Sequence, residues 1–266
     1  MRNAGWVLIL GLAAGCTATT NQTTNRQALN AGYQSLAAKD YEGAMARASE
    51  YLQRQPEGPG SAEALYLQGR VYEQRAEEDA AAGRETQSKS DLQQAKSTYQ
   101  RALQLSPSAK VDALIRAGIA NVAYFEEDYS TAMQKWAESY DNIQQPDAKA
   151  WILYRIGLCQ QRLGRFDQAD NSFSIVRHDY PGTEPAQRAG THYGARAFYV
   201  QIGAYTDASN ADKMVSALQS QGYKVGKTVE TGGKQAVRVG PAQTYAEAKS
   251  LRARLLFSYP GAMIEP

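Results

Sequence analysis

The residues best able to do chemistry lie near the carboxy terminus, in FYVQIGAY (Phe198–Tyr205) and AVRVG (Ala236–Gly240). In the first stretch Phe198, Val200 and Ile202 alternate with Tyr199, Gln201 and Gly203, which is the two-residue period of a strand. One face is then fully apolar, and the other carries an aromatic ring, a carboxamide and bare backbone. In the second, parity sets Val237 and Val239 on the apolar face and Ala236 and Arg238 on the other. A carboxamide offers both donors and acceptors, and a tyrosine joins an apolar ring to a polar tip. The same region shows no catalytic carboxylate pair, nucleophile–histidine arrangement or metal set. The two histidines of the chain, His178 and His192, have no carboxylate or cysteine at ligand spacing, so they read as surface or packing residues. The pattern points to binding without an enzyme activity, a cofactor or a metal.

These residues need a scaffold, and the pattern from Ala197 onward supplies one. Strand one is Phe198 to Ala204. A helix follows from about Asn210 to Gln221, with Ala211, Met214, Val215 and Leu218 on one stripe. SNAD (Ser209 to Asp212) offers its cap and Gly222 its stop. Strands near Tyr223–Glu230 and Gln235–Gly240 flank TGGK, a hairpin signal. TYAE (Thr244 to Glu247) is a capping box that opens a second helix with Ala248, Leu251 and Leu255 inward, ending before Pro260. GAMIEP can form a last short strand. The order is βαββαβ, with both helices on one sheet face and the other face open.

This segment resembles the SPOR (sporulation-related repeat) domain, through VQIGAY, VRVGP and the intervening helix that ends in GY. The resemblance covers nearly all of 197–266 and implies a ferredoxin-like fold that binds peptidoglycan on its open sheet face. It further implies a preference for glycan strands stripped of their stem peptides. A glutamine can hydrogen-bond sugar hydroxyls and acetamido groups, and a ring can lie against a sugar's C–H face. The resemblance singles out Gln201, Ala204 and, on the last strand, Met263 or Ile264, and parity sets Tyr199, Gly203 and Arg238 on the same face. Ala204 stands where many members have a binding serine, and Ala236 where many have arginine. Arg238, two residues on, shares the face of Ala236 and can compensate.

The middle of the chain is different. From about Ala28 to Pro181 strand signals are almost absent and small residues recur at fixed offsets. Ala44, Ala95 and Ala169 are each followed twelve residues later by a proline: Pro56, Pro107 and Pro181. Ala132 opens a fourth copy, with Pro146 displaced by two. Gly32, Ala120 and Gly157 stand twelve residues before Ala44, Ala132 and Ala169. This resembles the tetratricopeptide repeat (TPR), in which small residues let paired helices approach closely and a proline closes the second helix. Gly69 and Ala95 are 26 apart, so RAEEDAAAGRETQS is an insertion that extends one hairpin as a solvated helix or loop. Four copies suffice to stack a continuous core. Cys159, beside Gly157, reads as a small buried hydrophobe.

The amino terminus, MRNAGWVLILGLAAGC, has a basic residue, a short apolar run and small residues ending at Cys16. The run is too short to span a membrane comfortably and reads as an export signal. LAAGC resembles the bacterial lipobox, which implies a lipid-modified Cys16. By resemblance to Gram-negative lipoproteins, Thr17 implies the periplasmic face of the outer membrane. TATTNQTTNRQ reads as a tether.

A net charge of +2 gives no electrostatic case for nucleic acid. The expected architecture is therefore two-domain, an all-α TPR-like solenoid followed by a small α/β SPOR domain. Its segments are a signal peptide at 1–15, a flexible tether at 16–27, repeats at 28–182, a capping helix and linker at 183–196, and the SPOR domain at 197–266. The expected partners are glycan strands, a membrane through Cys16, and a protein held by the repeats. The second reading is a scaffold like the TPR lipoproteins of outer-membrane assembly, with a SPOR domain that binds no sugar.

Overall fold

The computed structural model describes residues 20–266 apart from Thr231, with side chains from Arg26 onward. The expected export signal and Cys16 lie outside the described residues. The chain divides at Ile152/Leu153 into two compact units, and the division falls inside a helix.

The first unit holds α1 (Thr20–Ala37), α2 (Tyr41–Arg54), α3 (Ser61–Ala81), α4 (Glu85–Gln104), α5 (Ala109–Phe125), α6 (Tyr129–Tyr140) and the start of α7 (Pro146–Arg162). Successive helices pack as hairpins, and alternate helices α1/α3 and α3/α5 also touch, which is how a repeat buries a face it cannot bury alone. Helix starts follow side-chain chemistry: Asp40 Oδ1 accepts from Gly43 N at 2.9 Å and Asp128 Oδ1 from Thr131 N at 3.1 Å. The repeat alanines Ala44, Ala95 and Ala132 are fully buried. Gly69 on α3 and Gly118 on α5 bracket the ring of Tyr99 from α4, and a methyl at Gly118 would come within 2.5 Å of it. The seat on α5 is thus Gly118, while Ala120 is simply buried in the core.

One expectation changes here, and one alternative is decided. Helix α1 begins at Thr20, inside the stretch expected to be a tether. Arg26 on this helix meets Glu63 Oε2 of α3 through Nη1 at 2.8 Å, and Leu29 and Leu36 further along it are buried. The insertion after Gly69 is helical, carrying α3 to Ala81 and starting α4 at Glu85.

Among the described residues of this unit, Glu73 of α3 is the most deeply buried carboxylate, 1% exposed. It accepts from Arg70 Nη1 (2.5 Å), Asn121 Nδ2 (2.7 Å) and Tyr99 Oη (2.7 Å). Burial and then the Glu73 charge raise the Tyr99 phenol well above its ordinary pKa. Burial works against the charge on Arg70, but Glu73 more than reverses it and its pKa stands above the usual value.

The second unit holds the rest of α7, α8 (Phe166–Asp179), α9 (Glu184–His192) and the sheet domain: β1 (Phe198–Tyr205), α10 (Ala208–Ser220), β2 (Val225–Val229), β3 (Gln235–Ala242), α11 (Tyr245–Leu255) and β4 (Met263–Glu265). The sheet order is β2-β3-β1-β4 with every pair antiparallel. Val200, Ile202, Val237 and Val239 pack against Ala211 and Leu218 of α10 and Leu251 and Leu255 of α11, so both helices cover one face. Thr244 caps α11 as expected, accepting from Glu247 N, while Glu247 Oε2 reaches back one residue past the cap and accepts from Gln243 N instead of Thr244 N. The cap of α10 is Asp207, which accepts from Ser209 N, so this helix starts two residues before the SNAD-based expectation.

The last repeat belongs with the sheet. Phe166 of α8 packs on Phe198 of β1 (centroids 5.8 Å apart), together with Ala242 and Ala248. Arg162 lies 4.5 Å above the Tyr245 ring. The turn at Gly164 (φ +77°) approaches Gln243 O so closely that a methyl there would sit 2.8 Å away. The segment from α9 into β1 is pinned by Asp170, which accepts from Gly194 N (2.8 Å) and pairs with Arg196 (2.7 Å). Cys159 is fully buried and burial pushes its thiol up to about 12, which leaves it protonated and inert.

His192 stacks against Tyr154 and Phe173. The amide of Gln161 donates to His192 O, so its oxygen faces Nδ1 at 2.9 Å and Nδ1 carries the proton. Burial first, then Arg162 and Arg188, lower its pKa from 6.5 to about 4. The unfolded chain therefore binds a proton between those values that the folded chain refuses. Stability is expected to be full above pH 6.5 and to fall by about 3 kcal/mol as pH drops to 4. Urea midpoints at pH 7 and 4.5 check this: His192→Gln should flatten the difference, and an equal acid loss in the variant would assign it elsewhere.

Candidate functional site

The sheet face opposite the helices is built by parity and by two bulges. Across the strands, Met263 of β4, Gln201 of β1, Arg238 of β3 and Gly226 of β2 stand in one row. Tyr199 pairs with Glu265 in the next row, and Ala204, Ala236 and Thr228 form another. The register slips between Gln201 and Gly203, and this extra residue resets the alternation. Ile202 stays in the helix-side core, and Gly203 stands opposite Val237 with its free side toward Tyr205, which packs on that same core. Gly203 therefore faces the helices, contrary to simple parity. The same slip brings Ala204 onto the open face, where it is exposed.

A second slip lies between Phe198 and Val200, opposite Gly240. Gly240 has φ +150°, and a methyl on it would lie 2.9 Å from Tyr199 Cδ1. The glycine of VRVGP thus makes room for the Tyr199 ring.

The structure brings together Tyr199, Gln201, Ala204, Arg238 and Met263, and it adds two carboxylates to them. Gln201 is only 7% exposed. Its Nε2 donates to Glu230 Oε1 at 3.0 Å, while its Oε1 is buried without a partner. Glu230 lies just past β2, and Ala236 of the neighbouring row is fully buried. Arg238 Nη2 and Glu265 Oε2 are 2.7 Å apart, a bridge from β3 to β4 that crosses β1. The two charges touch, but their alignment falls short of a hydrogen bond, since Glu265 Oε2 has no hydrogen-bonding partner. Arg238 Nε is likewise buried and unpartnered. Met263 stays 54% exposed. A buried polar atom without a partner costs about 1–3 kcal/mol, and Gln201 Oε1 and Arg238 Nε both sit in this one patch.

Alternation along β1 and β3 could find Gln201 and Arg238 but not Glu230 or Glu265. Those two are set by pairing across the sheet: Glu230 N donates to Lys234 O, two residues before Ala236, and Glu265 pairs with Tyr199. Among the described residues no group of His, Cys, Asp and Glu is arranged to hold a metal ion. Nor, among them, is any helix long and apolar enough to cross a membrane.

Residues 194–264 match the family model described as SPOR domain. This segment is a SPOR domain. Residues 152–183 match the model of a tetratricopeptide repeat, so the chain carries a repeat followed by a SPOR domain. SPOR domains bind peptidoglycan and occur in proteins of the cell envelope, and TPR repeats are protein-interaction modules. No curated protein matches the chain. Among solved structures it is similar to the crystal structure of MamA protein, at 16% identity and a TM-score of 0.46, over 65% of this chain and 80% of that one. It is also similar to a thermophilic TPR protein of Thermus thermophilus, at 18% identity and a TM-score of 0.38, over 63% and 98% of the two chains.

Proposed function

We propose that this protein is a non-enzymatic envelope lipoprotein that grips denuded septal glycan strands with its SPOR domain and recruits a protein through its repeats. It acts in cell division or wall organisation, anchored at the periplasmic face of the outer membrane by acyl chains on Cys16. The observation that carries the glycan reading is the Met263–Gln201–Arg238 row, with Tyr199 beside it, on the helix-free face of a SPOR domain. Met263 and the Tyr199 ring offer apolar surface to sugar C–H faces, and Gln201 and Arg238 offer hydrogen bonds to hydroxyl, acetamido and carboxylate groups. The anchor rests on LAAGC after an apolar run.

The test is sedimentation of the purified protein with sacculi, with and without prior amidase treatment. Pelleting is expected to rise on amidase-treated sacculi, and Gln201→Ala is expected to weaken it by about tenfold, the loss of one to two hydrogen bonds. Equal pelleting of both proteins would remove the open-face reading. Release of Cys16→Ala from the membrane fraction supports the anchor, and persistent fractionation with membranes would refute it.

A second reading is favoured by one observation: Glu230 and Glu265 already occupy the candidate groups, and Ala204 adds only a methyl. In that reading the repeats carry the function, as a scaffold of outer-membrane-assembly type, and the SPOR domain holds no glycan. No pelleting on either kind of sacculus would establish it.

A further inference from the structure

The open face is not simply vacant, because two acidic side chains of the same domain engage its two best hydrogen-bonding groups. Glu230 takes the Gln201 amide at 3.0 Å and Glu265 pairs with the Arg238 guanidinium at 2.7 Å. Both come from the margins of the sheet, one at the end of β2 and one on the three-residue edge strand β4. Gln201 is more than nine-tenths buried and its Oε1 is unpartnered, as is Arg238 Nε. The internal carboxylates therefore leave hydrogen-bonding capacity that a larger ligand with several polar groups can complete.

Resting on the glycan reading above, we infer that Glu265 and Glu230 are internal ligands that set the specificity of this face. Binding proceeds by exchange, in which a carboxylate of the saccharide replaces Glu265 on Arg238. The reason is electrostatic. A guanidinium whose side chain is only 25% exposed is costly to strip of its counter-charge. A carboxylate ligand keeps Arg238 paired throughout, whereas a neutral ligand must either leave Glu265 in place or leave Arg238 unpaired. In peptidoglycan the muramic acid carboxyl is an amide while the stem peptide is attached and a free carboxylate once the peptide is removed. The exchange thus selects stripped glycan by the charge that stripping creates.

The experiment uses the full chain and amidase-treated sacculi, with glycan carboxylates either left free or converted to carboxamides. Glu265→Gln should bind carboxamide glycan about five- to tenfold more tightly than the unaltered protein does, and Glu230→Ala about two- to fivefold more tightly. Carboxamide conversion should weaken the unaltered protein several-fold and should make little difference to Arg238→Gln. If the unaltered protein pellets and Gln201→Ala does not, yet Glu265→Gln and the carboxamide change nothing, the exchange is refuted while the glycan reading stands. Should no protein pellet in any arm, both fall. Pelleting by Glu265→Gln alone would mean that Glu265 blocks the face instead of exchanging on it, and would overturn the exchange.

Discussion

Glu73→Ala is expected to destabilise the helical unit by about 3–5 kcal/mol, the loss seen when one partner of a buried charge pair is removed. The variant takes from the Arg70 guanidinium the carboxylate that meets its Nη1, and from Tyr99 Oη and Asn121 Nδ2 their acceptor. Chemical denaturation followed by helical circular dichroism measures it. A companion variant separates charge from packing: Arg70→Met, Glu73→Leu and Tyr99→Phe together should recover most of the loss, because an apolar set of similar volume has no charge to desolvate. A loss below about 1 kcal/mol for Glu73→Ala would mean that water reaches this site.

The second large effect concerns the join between the last repeat and the SPOR domain. Phe198 is 3% exposed and touches Phe166 and Tyr245. Phe198→Ala should cost about 3–5 kcal/mol, as for other buried aromatic truncations. Because Phe166 belongs to α8, the same loss should appear in hydrogen exchange of α8 and of β1. Protection lost in β1 alone would mean that α8 is held by the repeats and not by the sheet. A fragment that begins at Ala197 lacks Phe166, Asp170 and Arg162, so it should be less stable than one that begins in α7.

The fold was largely legible in the chain, for reasons that differ between its parts. The helical hairpins could be read because small residues must recur wherever two helices approach, and Gly69, Ala95, Gly157 and Ala169 recur. The sheet domain could be read because a period of two alternates with amphipathic stripes, and Leu218, Leu251 and Leu255 did point to one core. What escaped is what local pattern does not encode. A bulge is one residue of slippage in pairing, so parity put Gly203 on the wrong face and said nothing of how Ala204 got to its own. Glu230 and Glu265 carry no signal in the local pattern, since their partners lie on other strands. The start of α1 escapes because TNQTTN, its first six residues, has no apolar stripe to show.

If the SPOR domain holds glycan as proposed, a pull on it is useful only if it reaches the helices beside the sheet. Here the chain between α9 and β1 is stapled to α8 through Asp170, by Gly194 N and by Arg196. Beside that staple, Phe198 leans on Phe166 in direct contact. A tug along β1 is therefore taken up at once by the last repeat, with no slack segment to stretch first. The domain is set like a cleat bolted to its beam, and tension on the sheet becomes tension on helix α8.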